Sequence, residues 1–147
     1  MKFSELVATA GHDAEHVAGF TMPLTADTRE DVTAQVKRSP SMLVFVEDMD
    51  AALATVAVSE DGDALEFVPA ALQTNDVVLA AIGNKPTSFR FSTNRDAAVL
   101  DAAVAADGDN LMYMATAEKT EARCVSAVGA HSSAIRYCNP AAFDPEE

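Results

Sequence analysis

The sequence predicts an all-α protein made of short helical repeats, and two observations support this prediction. Five segments share one plan, in which a helix-cap residue is followed by an aliphatic anchor and then by an aromatic ring. Successive anchors are separated by 22, 24, 22 and 24 residues. Sequence periods of this length are typical of arrays, in which each unit buries its apolar face against its neighbours. We therefore predict a single domain with five units of 22–24 residues at positions 28–138, forming a compact solenoid-like array.

The segments outside the repeats are predicted to form the two ends of the array. Residues 4–20 have a helical pattern that does not match the repeat, so we interpret residues 1–27 as an N-terminal helical cap or arm. Asn139-Pro140 ends the fifth unit, and we interpret residues 139–147 as a short acidic tail. The end units of an array are expected to be atypical, because one of their faces lacks a neighbour.

The first half of each unit is predicted to be a helix that spans nine residues from cap to anchor. All five cap positions hold Thr or Asp, which are favoured N-cap residues. The caps are Thr28, Asp50, Thr74, Asp96 and Thr120, and the anchors are Val36, Val58, Ile82, Val104 and Val128. Because a helix this short is marginal alone, stacking on neighbouring units must stabilise it.

The second half of each unit allows two interpretations. The sequences LVF (43–45) and FRF (89–91) alternate as in a strand, whereas Leu65, Val68 and Leu72 follow helical spacing. No Asn-Gly hairpin signal joins these segments, and this favours a second short helix in each unit. The alternative is an α/β array with one helix and one short strand per unit.

The length and apolar content indicate one soluble domain. The chain has 147 residues, 49% of them apolar, and a domain of this size buries roughly 68–70% of its extended-chain surface. No run approaches the ~18 apolar residues of a spanning helix, and the apolar run near the N-terminus is too short for an export signal. We therefore expect a cytoplasmic protein without membrane contact. Cys124 and Cys138 have no metal-site spacing, so free thiols are expected, with a disulfide as the alternative.

The charge balance is strongly acidic. Lys and Arg total 10 against 23 Asp and Glu, which gives a formal net charge of −13. Direct nucleic-acid binding is not expected, because neutralising phosphates requires clustered Lys and Arg. The balance favours solubility, a basic protein partner or a salty habitat. A solvated acidic surface without any partner explains it equally well.

Units 2 and 3 contain a pattern that extends through ALEFVPAALQTNDVVLAAIGNKP (64–86). The residues that carry it are Gly62, Leu65, Phe67, Asp76, Leu79, Ala80, Ala81 and Ile82, and part of it recurs at Gly108, Leu111 and Tyr113. It resembles a short bacterial helical repeat family of unknown function, with Gly-x-x-Leu-x-aromatic, Asp and aliphatic-Ala-Ala-Val segments. Pro40 and Pro86 depart from the pattern by replacing the glycine. The resemblance covers residues 28–138 and implies repeats, without an activity or a site.

His12 and His16 are the candidate metal ligands of the sequence. They lie four residues apart in HDAEH, which resembles the HExxH motif with Asp in place of the catalytic Glu. A catalytic zinc site needs a third ligand and a base near the bound water. Aspartate is one methylene shorter than glutamate, and His131 is far away in the sequence. We therefore expect a solvent-facing helix here, with no metal and no other cofactor.

The sequence Asp-Gly-Asp occurs at the same turn in units 2 and 4. Calcium loops require further oxygen ligands in a fixed order, and that order is missing. Turn chemistry explains the motif without a metal. The corresponding turns of units 1 and 3 are basic, so acidic and basic turns are expected to alternate along one edge. The candidate interaction residues are Asp61, Asp63, Asp107 and Asp109.

Motifs of catalysis and nucleotide binding do not occur in the sequence. Ser132 and Ser133 follow His131, but no GxSxG elbow or orienting acid accompanies them, so a loop is expected there. The sequence also contains neither a GxGxxG nor a GxxxxGK[ST] motif. These observations disfavour an enzyme.

We expect a non-catalytic protein-binding module that presents an acidic surface to a basic protein. In its most specific form, this hypothesis makes the chain a decoy or inhibitor of a nucleic-acid-binding protein. The alternative is a structural subunit that self-assembles through apolar array ends such as Phe20 or Phe143. A third hypothesis is a metal-dependent hydrolase that uses His12 and His16.

Overall fold

The computed structural model describes residues 22–143, and these residues are all-α, as predicted. Within these described residues, five α-helices of ten residues each follow one another. They are α1 (Arg29–Arg38), α2 (Ala51–Glu60), α3 (Asn75–Asn84), α4 (Ala97–Ala106) and α5 (Glu121–Ala130). Each α-helix continues two residues beyond its anchor, so the helix predicted from cap to anchor was two residues too short at its C-terminal end. The predicted helix at 4–20, with His12, His16 and Phe20, lies outside the described residues.

A six-residue 3₁₀ helix follows every α-helix after a one-residue turn. These 3₁₀ helices span Pro40–Phe45, Gly62–Phe67, Pro86–Phe91, Gly108–Tyr113 and Ser132–Tyr137. We call each α-helix with its following 3₁₀ segments a unit. A further three-residue 3₁₀ helix completes units 2, 4 and 5, at Ala70–Leu72, Thr116–Glu118 and Pro140–Ala142. Thus the segment that begins the expected acidic tail is helical, and Ser132 and Ser133 begin a helix instead of lying in a loop.

The second half of each unit is therefore helical, although of the 3₁₀ type, and the α/β alternative is wrong. Within residues 22–143, one short parallel pair joins β1 (Met22–Pro23) to β2 (Val46–Glu47). The chain leaves β2 through Asp48, which has a φ of 54°. Aspartate tolerates this left-handed conformation better than most residues.

The N-caps of the five α-helices are the predicted Thr and Asp residues. Asp50 accepts a hydrogen bond from the Leu53 N–H at 2.9 Å, and Thr74 and Thr120 cap their helices in the same way. Asp96 and Thr28 make no such side-chain bond, and the Thr28 hydroxyl instead donates to the Pro23 carbonyl at 2.6 Å. This bond ties the segment before α1 to the start of the array.

The α-helices stack side by side and all run in the same direction. At their N-termini, Arg29 pairs with Asp50, and Asn75 donates to Asp96 at 2.9 Å. At their C-termini, Asn84 donates to the Ser59 carbonyl at 3.0 Å. Each α-helix after the first also packs against the 3₁₀ helix of the preceding unit, and successive 3₁₀ helices pack on one another. The units therefore form two layers, one of α-helices and one of 3₁₀ helices.

One large apolar side chain from each 3₁₀ helix forms the centre of the core. In units 1 to 4 these residues are exposed by 1% or less, and burial of each contributes roughly 1.5–3 kcal/mol. They are Leu43, Leu65, Phe89 and Leu111. The equivalent residue of unit 5, Ile135, is 68% exposed. Since unit 5 differs in having no following unit within the described residues, the following unit is what covers this position.

Two glycines allow the close contact between units. A Cβ atom at Gly62 would lie 2.6 Å from the Ala81 carbonyl oxygen, and one at Gly108 would lie 2.1 Å from that of Ala127. Real Cβ atoms do not approach backbone this closely, so a side chain would force the next α-helix away. Glycine is therefore required at the start of these two 3₁₀ helices.

Buried amide side chains connect neighbouring units through backbone groups. Gln73 donates to the carbonyls of Val68 at 3.1 Å and Phe91 at 3.3 Å, and it accepts from the Thr93 N–H at 2.7 Å. Asn110 donates to the Pro86 carbonyl at 3.0 Å. The 3₁₀ layer leaves some of its backbone groups without regular partners, and these side chains satisfy them.

Gly108→Ala is expected to destabilise the protein by about 1–3 kcal/mol or more, because the added methyl group overlaps the Ala127 carbonyl. The matched control is Gly129→Ala in α5, where a Cβ meets nothing within 4 Å. Helix propensity makes that change stabilising by up to ~1 kcal/mol. Urea denaturation followed by circular dichroism measures both. Equal stabilities of the two variants would refute the close-approach explanation.

Gln73→Leu is expected to lower the free energy of unfolding by about 2–4 kcal/mol. Leucine fills similar volume but leaves the Thr93 N–H and two carbonyls without their buried partner. Lys119 is the matched control position, because it directly precedes the Thr120 cap of α5 as Gln73 precedes the Thr74 cap of α3. Lys119 is partly exposed, so Lys119→Leu should change the free energy of unfolding by less than about 0.5 kcal/mol. Thermal melts of both variants test the difference.

Candidate functional site

Because the α-helices are parallel, their N-termini form one edge of the array. We define the N-terminal edge as residues 26–31, 48–53, 72–77, 94–99 and 118–123. These ranges contain nine acidic and four basic residues. Each helix N-terminus carries a partial positive charge of about half an elementary charge, and carboxylates placed there stabilise the helix. The parallel stacking therefore explains why acidic side chains collect along this edge.

Some N-terminal edge carboxylates are engaged within the array. Asp50 pairs with Arg29 of the preceding unit. The hydrogen bond from Arg29 lowers the pKa of Asp50 most, and the hydrogen bond from the Leu53 N–H is the second cause of the lowered pKa. Asp96 accepts from Asn75. Five other acidic side chains of the edge are exposed to solvent, namely Asp27, Glu30, Asp48, Asp76 and Glu121.

The opposite edge, formed by the turns between the α-helices and the 3₁₀ helices, holds the predicted interaction residues. Asp63 pairs with Lys85 of the next unit and lies 3.8 Å from Arg90. Asp107 Oδ1 lies 3.2 Å from His131 Nδ1 of the next unit. The acidic turn of unit 2 thus meets the basic turn of unit 3, as expected, whereas the acidic turn of unit 4 meets His131 of unit 5. Such partly exposed pairs contribute only a few tenths of a kcal/mol each, so they select the register of the stack more than they stabilise it.

The same carboxylates also cap the 3₁₀ helices. Asp61 accepts from the Asp63 N–H at 3.0 Å, and Asp107 accepts from the Asp109 N–H at 3.0 Å. Asp109 accepts from the Ser133 hydroxyl at 3.1 Å. The four predicted interaction residues therefore make bonds inside the array, and Asp61 is the most exposed of them.

His131 is placed for a structural contact. Its Nδ1 lies 3.3 Å from the Gly108 backbone nitrogen as well as close to Asp107. Nδ1 accepts from the Gly108 N–H only when it carries no proton and donates to Asp107 only when it carries one, so one nitrogen cannot make both bonds at once. Ser133 donates to Asp109 and so makes its hydrogen bond away from His131.

The metal hypothesis rests on His12 and His16, which lie outside the described residues. Among residues 22–143, no group of three or more His, Cys, Asp or Glu side chains is arranged to hold a metal ion. In the same part of the chain, no helix is both long and apolar enough to cross a membrane.

An apolar groove lies at the end of the array formed by unit 5. We call it the tail groove, and its volume is about 440 Å³. Its lining residues are Cys124, Val125, Val128, Ile135, Cys138, Pro140 and Phe143. Both cysteines are free thiols, as expected. Burial, and secondly a hydrogen bond with Cys124, raises the pKa of Cys138 to about 11 from 9.0.

Comparisons with protein-family models, with curated proteins and with solved structures found no match to this chain. The resemblance to a bacterial repeat family therefore stays a prediction. The function has to be argued from the surfaces of the array itself.

The raised pKa predicts that Cys138 reacts slowly with iodoacetamide. Its thiolate is scarce at pH 8, and after allowing for the higher nucleophilicity of a more basic thiolate, we expect alkylation about tenfold slower than in urea-unfolded chain. The pKa of Cys138 is higher in the folded chain than in the unfolded chain. The contribution of this thiol to the free energy of unfolding is therefore complete below pH 9 and is lost as the pH rises towards 11. Mass spectrometry of the Cys138 peptide across this pH range measures the rate, and equal rates in folded and unfolded chain would contradict the prediction.

Proposed function

We propose that the chain is a non-catalytic protein-binding module whose N-terminal edge engages a basic protein surface. The observation that carries this proposal is the excess of carboxylates along one edge of a parallel helix stack. Stacked helices lie 8–10 Å apart, and the Debye length at physiological ionic strength is about 8 Å. The net negative charge of the edge lies in its first three ranges, at the starts of α1, α2 and α3, and these carboxylates act together as one negative strip.

The position of the carboxylates favours the N-terminal edge over the turn edge. On the turn edge, Asp63 and Asp107 already face Lys85 and His131 of adjacent units. On the N-terminal edge, exposed residues such as Glu30 and Asp76 lie in the first turns of α1 and α3. A basic partner would add counter-charges there without displacing contacts that hold units together. This refines the residues predicted from the sequence, which were all on the turn edge.

An extended acidic strip suits a protein surface that normally holds nucleic acid. Phosphates are spaced regularly along a backbone, and the starts of α1, α2 and α3 present net negative charge at equivalent positions of three successive units. In this form the module acts as a decoy or inhibitor that competes with nucleic acid for a basic, nucleic-acid-binding protein. Such an interface gains association rate and specificity from charge, and its affinity falls with salt.

Neutralising three exposed N-terminal edge carboxylates is expected to weaken binding to a lysine-rich peptide about tenfold at low salt. The variant is Glu30→Gln, Asp48→Asn and Asp76→Asn, and asparagine also tolerates the backbone conformation of residue 48. Fluorescence anisotropy of the labelled peptide at 50 and 200 mM salt measures the affinity.

The matched control removes the same charge from unit 2, away from the N-termini of the α-helices. It combines Glu60→Gln, Asp61→Asn and Glu66→Gln, three exposed residues, and should weaken binding less than about threefold. Equal losses in both variants would show that net charge alone binds the peptide and would rule out the edge assignment. Binding unaffected by salt would rule out the electrostatic mechanism altogether.

A further inference from the structure

Unit 5 keeps the apolar surface that units 1 to 4 bury beneath their neighbours. Ile135 is at the position of Leu111, which has no exposed surface, and Val128 is at the position of Val104, which is 1% exposed. Ile135 is 68% exposed and Val128 is partly exposed. The tail groove is therefore a continuation of the interface that holds the array together, with no unit of the described chain on it.

The first described helix, α1, does not repeat the apolar face of the later helices. The third position of the α-helix is Leu53, Val77 or Val99 in units 2 to 4, and all three are buried. In α1 this position is Asp31, and the seventh position, which is alanine in the later helices, is Gln35. The Ile135 side chain has no atom that can hydrogen-bond to either polar group, so α1 lacks the apolar contact that the later helices make with the preceding unit. Stacking α1 of a second copy on unit 5 is therefore disfavoured.

The charge distribution identifies the end at which two copies can approach. Residues 1–118 contain seven basic and nineteen acidic side chains, whereas residues 119–147 contain three basic and four acidic. Contact between the acidic parts of two chains would be opposed by repulsion. Contact between the two tail ends brings together nearly neutral segments and keeps the acidic units apart.

We propose that the tail groove is the interface of a symmetric dimer with a second copy of this chain. An isologous contact requires a patch that is complementary to itself, and a groove lined by aliphatic, aromatic and thiol side chains meets that requirement. Ile135, Val125 and Phe143 of each copy fill the groove of the other. This assignment does not depend on the acidic N-terminal edge, which remains exposed in such a dimer.

Sedimentation equilibrium of the full chain tests the dimer. The expected result is a mass that rises with concentration and stops at twice the mass of one chain. Ile135→Asp and Val125→Asp should each raise the dimer dissociation constant about tenfold or more. Because Ile135 and Val125 are 68% and 60% exposed, both variants are expected to keep the helical circular dichroism of the parent.

The matched control is Val44→Asp, because Val44 is 58% exposed and lies in unit 1. It should leave the dissociation constant unchanged within twofold. A strict monomer, a mass that exceeds the dimer, or an equal effect of Val44→Asp would each overturn the proposal.

Photocrosslinking shows whether the tail groove is occupied by the tail end of a second copy or by another segment of that copy. With Phe143→p-benzoylphenylalanine in a mixture of isotopically light and heavy chains, crosslinks between copies should fall within residues 121–143. Crosslinks to residues 1–21 would assign the groove to the N-terminal segment of the other copy and would refute the symmetric contact.

Discussion

The array depends on the burial of one large side chain from each 3₁₀ helix beneath the following unit. A short 3₁₀ helix has poor hydrogen-bond geometry, and a ten-residue α-helix is marginal alone. Neither element is stable until Leu65 or Phe89, for example, is enclosed between two layers. Stability in such a protein is therefore a property of the contacts between units, and each unit is only as stable as its neighbours allow.

This constraint explains why glycine and proline alternate at the start of the 3₁₀ helices. Gly62 donates its N–H to the Asn84 side chain of the next unit at 2.8 Å, and Gly108 lies 3.3 Å from His131. Pro40 and Pro86 have no N–H at the same position, so units 1 and 3 need no such acceptor. The departure of these prolines from the repeat pattern is thus a second solution to one hydrogen-bonding problem.

Much of the fold could be predicted because caps and anchors act locally. Thr74 and Ile82 define a helix start and an apolar face through positions that are close in sequence. The 3₁₀ geometry could not be predicted, since FRF at 89–91 alternates in exposure like a strand while its backbone is helical. Gln73 was also missed, because a buried amide has no sequence signal unless the carbonyls it satisfies are known.

The candidate sites were less predictable than the fold for the same reason. The sequence identified Asp63 and Asp107 as conspicuous, but their partners Lys85 and His131 lie 22 and 24 residues away and are brought close only by stacking. Conversely, Ile135 lies at a position that is buried in units 1 to 4, so nothing in the repeat pattern indicates that it is exposed. What makes it exceptional is the absence of a following unit among the described residues. In a repeat array, a residue at a given repeat position packs in the core when another unit covers it and is available for binding when it lies in the end unit. The surface of unit 5 therefore has the apolar chemistry of the core but lacks a neighbouring unit among the described residues.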